Sequence, residues 1–268
     1  MQHTRTGLGK PLLLVHGLGG SRASWDPILP ALAQTREVIV PDLPGHGQTP
    51  AQADSGTFAG LARSLHDWLG EQGLERVDMV GSSLGARLVL EMARRGRAGA
   101  VVALDPGGFW QGWERTFFRT TLAASIRLVR ALKPALPAIT ANAAGRTALM
   151  LQLSAKPWAL NPAMILHELR SFTQTPTFDA LVKDLATGPT QTGPSQTGAP
   201  MVIGWGRHDR LCLPKQATRA MAAFPEARLH WFDHSGHFPM WDEPEETVRL
   251  ILEATGGAND GEDIPAPE

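Results

Sequence analysis

Val77-Asp78-Met79-Val80-Gly81-Ser82-Ser83-Leu84-Gly85 is the stretch on which the fold of this chain turns. Val77 to Val80 is a short apolar run ending at a glycine, and it reads as a buried strand. Leu84, Leu88, Val89, Met92 and Ala93 then recur at helical spacing as far as Arg95, so a helix follows at once. Between strand and helix, Gly81-Ser82-Ser83-Leu84-Gly85 spells Gly-x-Ser-x-Gly with Ser83 at its centre. So sharp a turn forces unusual backbone angles on the central residue, and glycines two positions to either side let neighbouring chain approach. Ser83 is then held up at a sheet edge and at a helix N-terminus, where developing negative charge is favoured.

Outward from this turn the pattern repeats. Pro11 to Val15, Glu37 to Val40, Ala100 to Leu104, Pro200 to Ile203 and Arg228 to Phe232 read as further strands. Helical spacing fills Gly60 to Gly70, Lys215 to Phe224 and Pro244 to Leu252. Strands alternating with helices predict a mostly parallel, twisted α/β sheet with helices on both faces. Residues 1–105 and 200–255 form this core. Residues 106–187 break the alternation. They hold helical patterns such as Phe117 to Leu132 and Pro162 to Phe172, cut by prolines, and read as an inserted helical lid. The run 188–199, rich in Thr, Gly, Pro and Gln, reads as a flexible connector, and the acidic stretch 256–268 as a disordered tail.

Composition narrows the function. The 268 residues carry 25 Lys plus Arg against 26 Asp plus Glu, a net charge of -1. Such a balance gives no general pull toward nucleic acid or an anionic membrane. The one cysteine, Cys212, can form neither an internal disulfide nor a cysteine metal cluster. The opening Met1-Gln2-His3-Thr4-Arg5 lacks the apolar stretch of a signal peptide, and no apolar run reaches membrane-span length, so a cytoplasmic setting is expected. With no tyrosine in the chain, tyrosine-dependent hydride transfer is excluded. Gly17-Leu18-Gly19-Gly20 lacks the third glycine of a dinucleotide fingerprint, and there is no P-loop.

A serine hydroxyl needs a base near neutral pH. Of nine histidines, His237 in His234-Ser235-Gly236-His237-Phe238-Pro239 follows the last strand by a short loop, at the same sheet edge as Ser83. His234 is its neighbour and competitor. The base needs a carboxylate to fix its tautomer. Asp209 stands just beyond the strand at Met201 to Ile203, and Asp105, which also ends a strand, is its rival. The order Ser83, Asp209, His237 is that of an α/β-hydrolase triad. An oxyanion would need two N–H donors, expected from Leu84 and from Leu18 in the loop after the first strand. His230, His234 and His237 could instead suggest a metal site, but they span a strand and a loop and need not face one centre.

These pieces together make the chain resemble a serine-type α/β-hydrolase of the esterase, cofactor-free haloperoxidase and C–C hydrolase group. The likeness rests on His16-Gly17-Leu18-Gly19-Gly20, Pro41-Asp42-Leu43-Pro44-Gly45-His46-Gly47, Gly81-Ser82-Ser83-Leu84-Gly85, Gly206-Arg207-His208-Asp209 and Gly236-His237-Phe238-Pro239. It covers Leu12 to Leu104 and Pro200 to Leu252, and leaves the insertion unmatched. It implies that His16 and His46 are structural. Relatives with an aspartate nucleophile, the haloalkane dehalogenases and epoxide hydrolases, do not fit Ser83. The expected activity is carboxylesterase-type: hydrolysis of an ester, thioester or lactone of a mostly apolar small molecule, with no cofactor and no metal. Trp110, Trp113, Phe117, Trp158 and Phe238 are the expected pocket residues. The arginines Arg115, Arg119, Arg127 and Arg130 read as a solvated helix face. C–C bond hydrolysis or acyl transfer by the same triad, and a ligand sensor, stand as alternatives. Either a monomer or a homodimer fits.

Overall fold

The computed structural model describes residues 1–256, so all but the first residue of the expected tail at 256–268 lies outside the described residues. Seven strands form one sheet: β1 (His3–Thr6), β2 (Lys10–Val15), β3 (Arg36–Pro41), β4 (Asp78–Ser82), β5 (Val101–Leu104), β6 (Met201–Gly206) and β7 (Arg228–Phe232). Their order is β1-β3-β2-β4-β5-β6-β7. All neighbours are parallel except β1 and β3. The six apolar runs became β2 to β7. The strand β1, His-Thr-Arg-Thr, is a finding of the structure. Its polar, mostly exposed residues give no apolar signal, and its backbone pairing from His3↔Pro41 to Thr6↔Val38 covers the edge of β3.

The helices are α1 (Leu29–Leu32), α2 (Phe58–Glu71), α3 (Leu84–Arg94), α4 (Trp113–Ala131), α5 (Leu136–Ala141), α6 (Ala143–Met150), α7 (Pro162–Gln174), α8 (Phe178–Thr187), α9 (Ala217–Ala223), α10 (Pro239–Asp242) and α11 (Pro244–Ala254). Side chains alternate across the sheet, because successive strand residues point to opposite faces. Leu13, Val15, Met79 and Ile203 pack with residues of α2, α3 and α9. Leu12, Leu14, Val80, Val102 and Val202 pack on the other face, with Ile251 of α11 and Ile165 of α7 among their neighbours. Helices α4 to α8 form the insertion between β5 and β6.

The segment 188–199 contains no helix or strand, as its composition suggests, and makes hydrogen bonds to the core. Arg87 donates to the Pro189 carbonyl at 2.6 Å, Gln191 N–H to Gly108 O at 2.9 Å, and Gln196 N–H to Ala93 O at 3.0 Å. These backbone groups thus find partners despite the segment's weak local propensity.

Candidate active site

Ser83 sits where β4 turns into α3, at φ 56° and ψ −112°. Its N–H donates to Leu104 O at 2.9 Å, which ties the turn to β5. A Cβ on Gly85 would run into the Val15 carbonyl, and one on Gly81 into the Gly85 carbonyl. The two glycines therefore let α3 start against β2 with Ser83 at the apex.

His237 is carried by the loop after β7. Its N–H donates to Leu153 O at 2.9 Å, and Gly236 N–H donates to Asp242 Oδ2 at 2.8 Å. The His237 ring joins Ser83 to Asp209: Nε2 lies 2.8 Å from Ser83 Oγ, and Nδ1 lies 2.7 Å from Asp209 Oδ2. Asp209 Oδ1 accepts from the N–H groups of Leu211 and Cys212 at 2.7 and 3.0 Å. An ionised Asp209 only accepts, so Nδ1 carries the ring proton and Nε2 is left to accept from the Ser83 hydroxyl. His234, the competitor, is exposed, and His230 faces Glu246 of α11. The three histidines therefore point to different neighbours.

Asp105 lies beside Asp209 but does not hold the histidine. It has φ 46°, and its Oδ1 accepts from Gly206 N–H at 2.8 Å. Its Oδ2 is buried and unpartnered among the described residues. Burial, then the charge of Asp209, pushes its carboxyl well above the usual range. Asp209, Cys212 and His237 bring a carboxylate, a thiol and an imidazole within 4.8 Å, the donor types of a zinc site. Burial and the nearby Asp209 charge push the Cys212 thiol up, however, and the two oxygens of Asp209 are already committed to three partners, Leu211 N–H, Cys212 N–H and His237 Nδ1, so the set fits a metal poorly. Burial also holds His16 down at about 4, and His46 at about 3, so both are neutral. His16 Nε2 accepts from Leu43 N–H at 3.0 Å and its Nδ1 donates to Gly17 O at 2.8 Å, a structural brace under the first loop.

A cavity opens above Ser83 and His237. Leu18 and Leu84 line it, and Leu84 is the first residue of α3, where an N–H has no intrahelical partner. Trp110 and Phe238 line it as expected from the sequence. Trp113, Phe117 and Trp158 do not, which corrects the expected pocket. Trp113 is 59% and Trp158 55% exposed. Phe117 packs edge-on against Trp113. The reason is helical phase: Phe118 turns inward and stacks on Trp110 at 4.5 Å, so Phe117, 100° round the helix, turns outward. Phe118, Leu122, Ile126 and Val129 form the inner stripe of α4, and their spacing was the signal that aromatic content obscured. Leu169 and Phe172 of α7, and Phe178 and Leu185 of α8, complete the wall. The arginines of α4 stay outside: Arg115 donates to Gly188 O, and Arg130 to Asp179. Arg87, one turn beyond Ser83, is the buried cation that does reach the cavity wall.

Residues 12–250 match the model of the alpha/beta hydrolase family, and the chain belongs to that family. It is a hydrolase of the α/β fold. An uncharacterized protein of Mycobacterium tuberculosis is 29% identical over 262 residues, covering 91% of this chain and 75% of that one. A 2-hydroxy-6-oxo-6-phenylhexa-2,4-dienoate hydrolase of Burkholderia cepacia is 24% identical, covering 92% and 88%. Among solved structures, a thermophilic esterase of Thermogutta terrifontis superposes with a TM-score of 0.73 at 22% identity, covering 94% of this chain and 91% of that one. That likeness concerns the fold alone. Among the described residues no helix is long and apolar enough to cross a membrane.

Proposed function

We propose that the protein is a serine hydrolase that cleaves an ester, thioester or lactone bond of a mostly apolar small molecule through an acyl-enzyme. The carrying observation is the hydrogen-bonded relay from Ser83 through His237 to Asp209, opening into an apolar cavity. His237 Nε2 takes the Ser83 proton as Oγ attacks the acyl carbonyl. Asp209 holds the ring tautomer and stabilises the imidazolium. The N–H groups of Leu18 and Leu84 receive the oxyanion. His237 then protonates the leaving group and activates water to release the acid. The aliphatic and aromatic wall supplies binding through area removed from water and gives preference to apolar chains over charged ones.

The test is hydrolysis of p-nitrophenyl esters of graded chain length by the wild type and Ser83→Ala, with fluorophosphonate labelling alongside. Turnover and labelling that vanish together in Ser83→Ala support the reading. A folded wild type that is neither labelled nor active on any ester overturns it.

A second reading is favoured by Arg87. Burial lowers its guanidinium only to about 10, so it remains charged at neutral pH. Its side chain donates to the Gln191 amide and the Pro189 carbonyl rather than to a carboxylate. A substrate with a carboxylate end, as the name of the Burkholderia relative describes for that enzyme, would find a cation at the wall. Half-esters of dicarboxylic acids, compared with neutral esters of equal length, separate the two readings.

A further inference from the structure

The loop that carries Leu18 is held from the insertion side. Ser171 of α7 donates through Oγ to Gly19 O at 2.7 Å, with both groups buried. One turn earlier, the Glu168 carboxyl receives the Ser24 hydroxyl, with distances of 3.0 and 3.1 Å to its two oxygens. Ser24 Oγ in turn accepts from Ser21 N–H at 3.2 Å, which fixes the loop's far end. Gly19 has φ 76°, and a Cβ there would come within 2.8 Å of the Phe172 ring and 2.9 Å of the Phe178 ring. Two aromatic rings of the insertion therefore lie directly on the loop backbone. The Leu18 side chain packs into the same cluster, with Ile126 and Phe178. On the sheet side, Gly20 N–H donates to Gly17 O at 3.2 Å and so closes the loop on itself.

Given the reading under Proposed function, we infer that Ser171 and Glu168 are positioning residues of the oxyanion hole, holding the Leu18 N–H at the reacting carbonyl from the insertion. Ser171 fixes the Gly19 carbonyl, and the N–H of that same peptide unit, Gly20 N–H, donates to Gly17 O, the carbonyl of the unit that carries the Leu18 N–H, so the loop cannot turn this N–H away without losing a hydrogen bond. Glu168 secures the exit of the loop through Ser24. The insertion on this account does more than cover the cavity: it completes the electrostatic half of the site, where small displacements are costly.

The state of Glu168 supports a clamp that is neutral at physiological pH. Burial pushes its carboxyl up to about 8, against the lowering effect of the Ser24 hydrogen bond. The charged group that bears on it from the core is Asp26, just beyond Trp25, which raises it further. His167, its neighbour on α7, interacts with Asp26 and lies 3.4 Å from Ser21 Oγ. Above about pH 8 a carboxylate would have to sit in this pocket without a cation, and the grip on the loop would weaken.

Ser171→Ala tests the inference on a short-chain p-nitrophenyl ester, which draws little on the cavity wall. The expected result is a kcat lowered roughly 10- to 100-fold, with KM within about twofold and the chain-length preference unchanged. Glu168→Gln keeps a neutral partner for Ser24, and is expected to hold kcat within about threefold at pH 7 while removing the decline of the wild type above pH 8. A wild-type kcat in Ser171→Ala, or a change confined to KM or chain-length preference, overturns the inference. Amide hydrogen exchange at residues 17–21 reads the clamp without turnover: Ser171→Ala is expected to speed it, and unchanged exchange also overturns the inference. If no ester is turned over, the serine hydrolase reading falls while the exchange measurement still decides the clamp.

Discussion

The two walls of the cavity are built on different principles. On the sheet side, backbone geometry places each group. Ser83 is set by a strand-to-helix turn, Asp209 by two N–H groups, and His237 by a loop tied to Leu153. On the insertion side, amphipathic helices present Phe118, Leu122, Ile126 and Val129, and position follows from side-chain packing. The first wall is set by directional hydrogen bonds, Ser83 to His237 and Asp209 to His237, Leu211 and Cys212, so a change of residue type there removes a bond that burial cannot replace. The second tolerates exchange of one apolar residue for another, because the burial that drives it is non-directional. On the proposed function, chemistry and selectivity are thus divided between the walls.

The sharpest way to break that division is at Ser83 and His237. Ser83→Ala and His237→Ala are each expected to lower kcat by roughly 10⁴-fold or more at every chain length, with the melting temperature kept. A loss confined to long chains would place these residues on the selective wall. Next come the two neighbouring carboxyls. Asp209→Asn is expected to cost on the order of 10²- to 10⁴-fold in kcat, because the amide no longer fixes the His237 tautomer. Asp105→Asn keeps an oxygen to accept from Gly206 N–H and leaves the His237–Asp209 bond in place, and is expected to stay within about threefold. Equal losses would mean that the histidine answers to both. On the other wall, Ile126→Trp is expected to cost about 10- to 100-fold on long-chain esters and less than about threefold on acetate, while outward-facing Trp113→Ala leaves both unchanged. The smallest effect is one of stability. Glu168 in the folded chain binds a proton up to about pH 8, whereas an unfolded carboxyl releases it near pH 4. The native state holds the extra proton between these values, so stability declines as pH rises across that window. Melting temperatures from pH 5 to 8 should fall more steeply in the wild type than in Glu168→Gln, by a few degrees.

The same division governs what could be read from the sequence. The strands β2 to β6 were legible because a parallel sheet buried on both faces leaves apolar runs, whereas β7 at the sheet edge, with Arg228 and His230, gave a weaker signal. The grouping of Ser83, Asp209 and His237 followed from strand ends and chain order. Asp209 could be preferred to its rival Asp105 from its place after the later strand, but both end strands, and only the direction of the His237 ring shows which carboxyl it meets. The insertion was legible as helical, yet its inner face was misjudged, because Trp113 and Trp158 drew attention by residue type where helical phase decides. Arg87 went unnoticed because a single arginine on a helix carries no signal of burial. Strand β1 was missed because its contribution is backbone pairing alone.

Ser83 has φ 56°, a conformation that a side chain with a Cβ adopts only under constraint and that glycine adopts freely. The position that the chemistry would need is therefore one that folding alone would give to a different residue. Ser83→Gly would relieve the strain and make the protein more resistant to heat while leaving it without a nucleophile. On the proposed function, the serine is held there against the preference of its backbone for the sake of its hydroxyl.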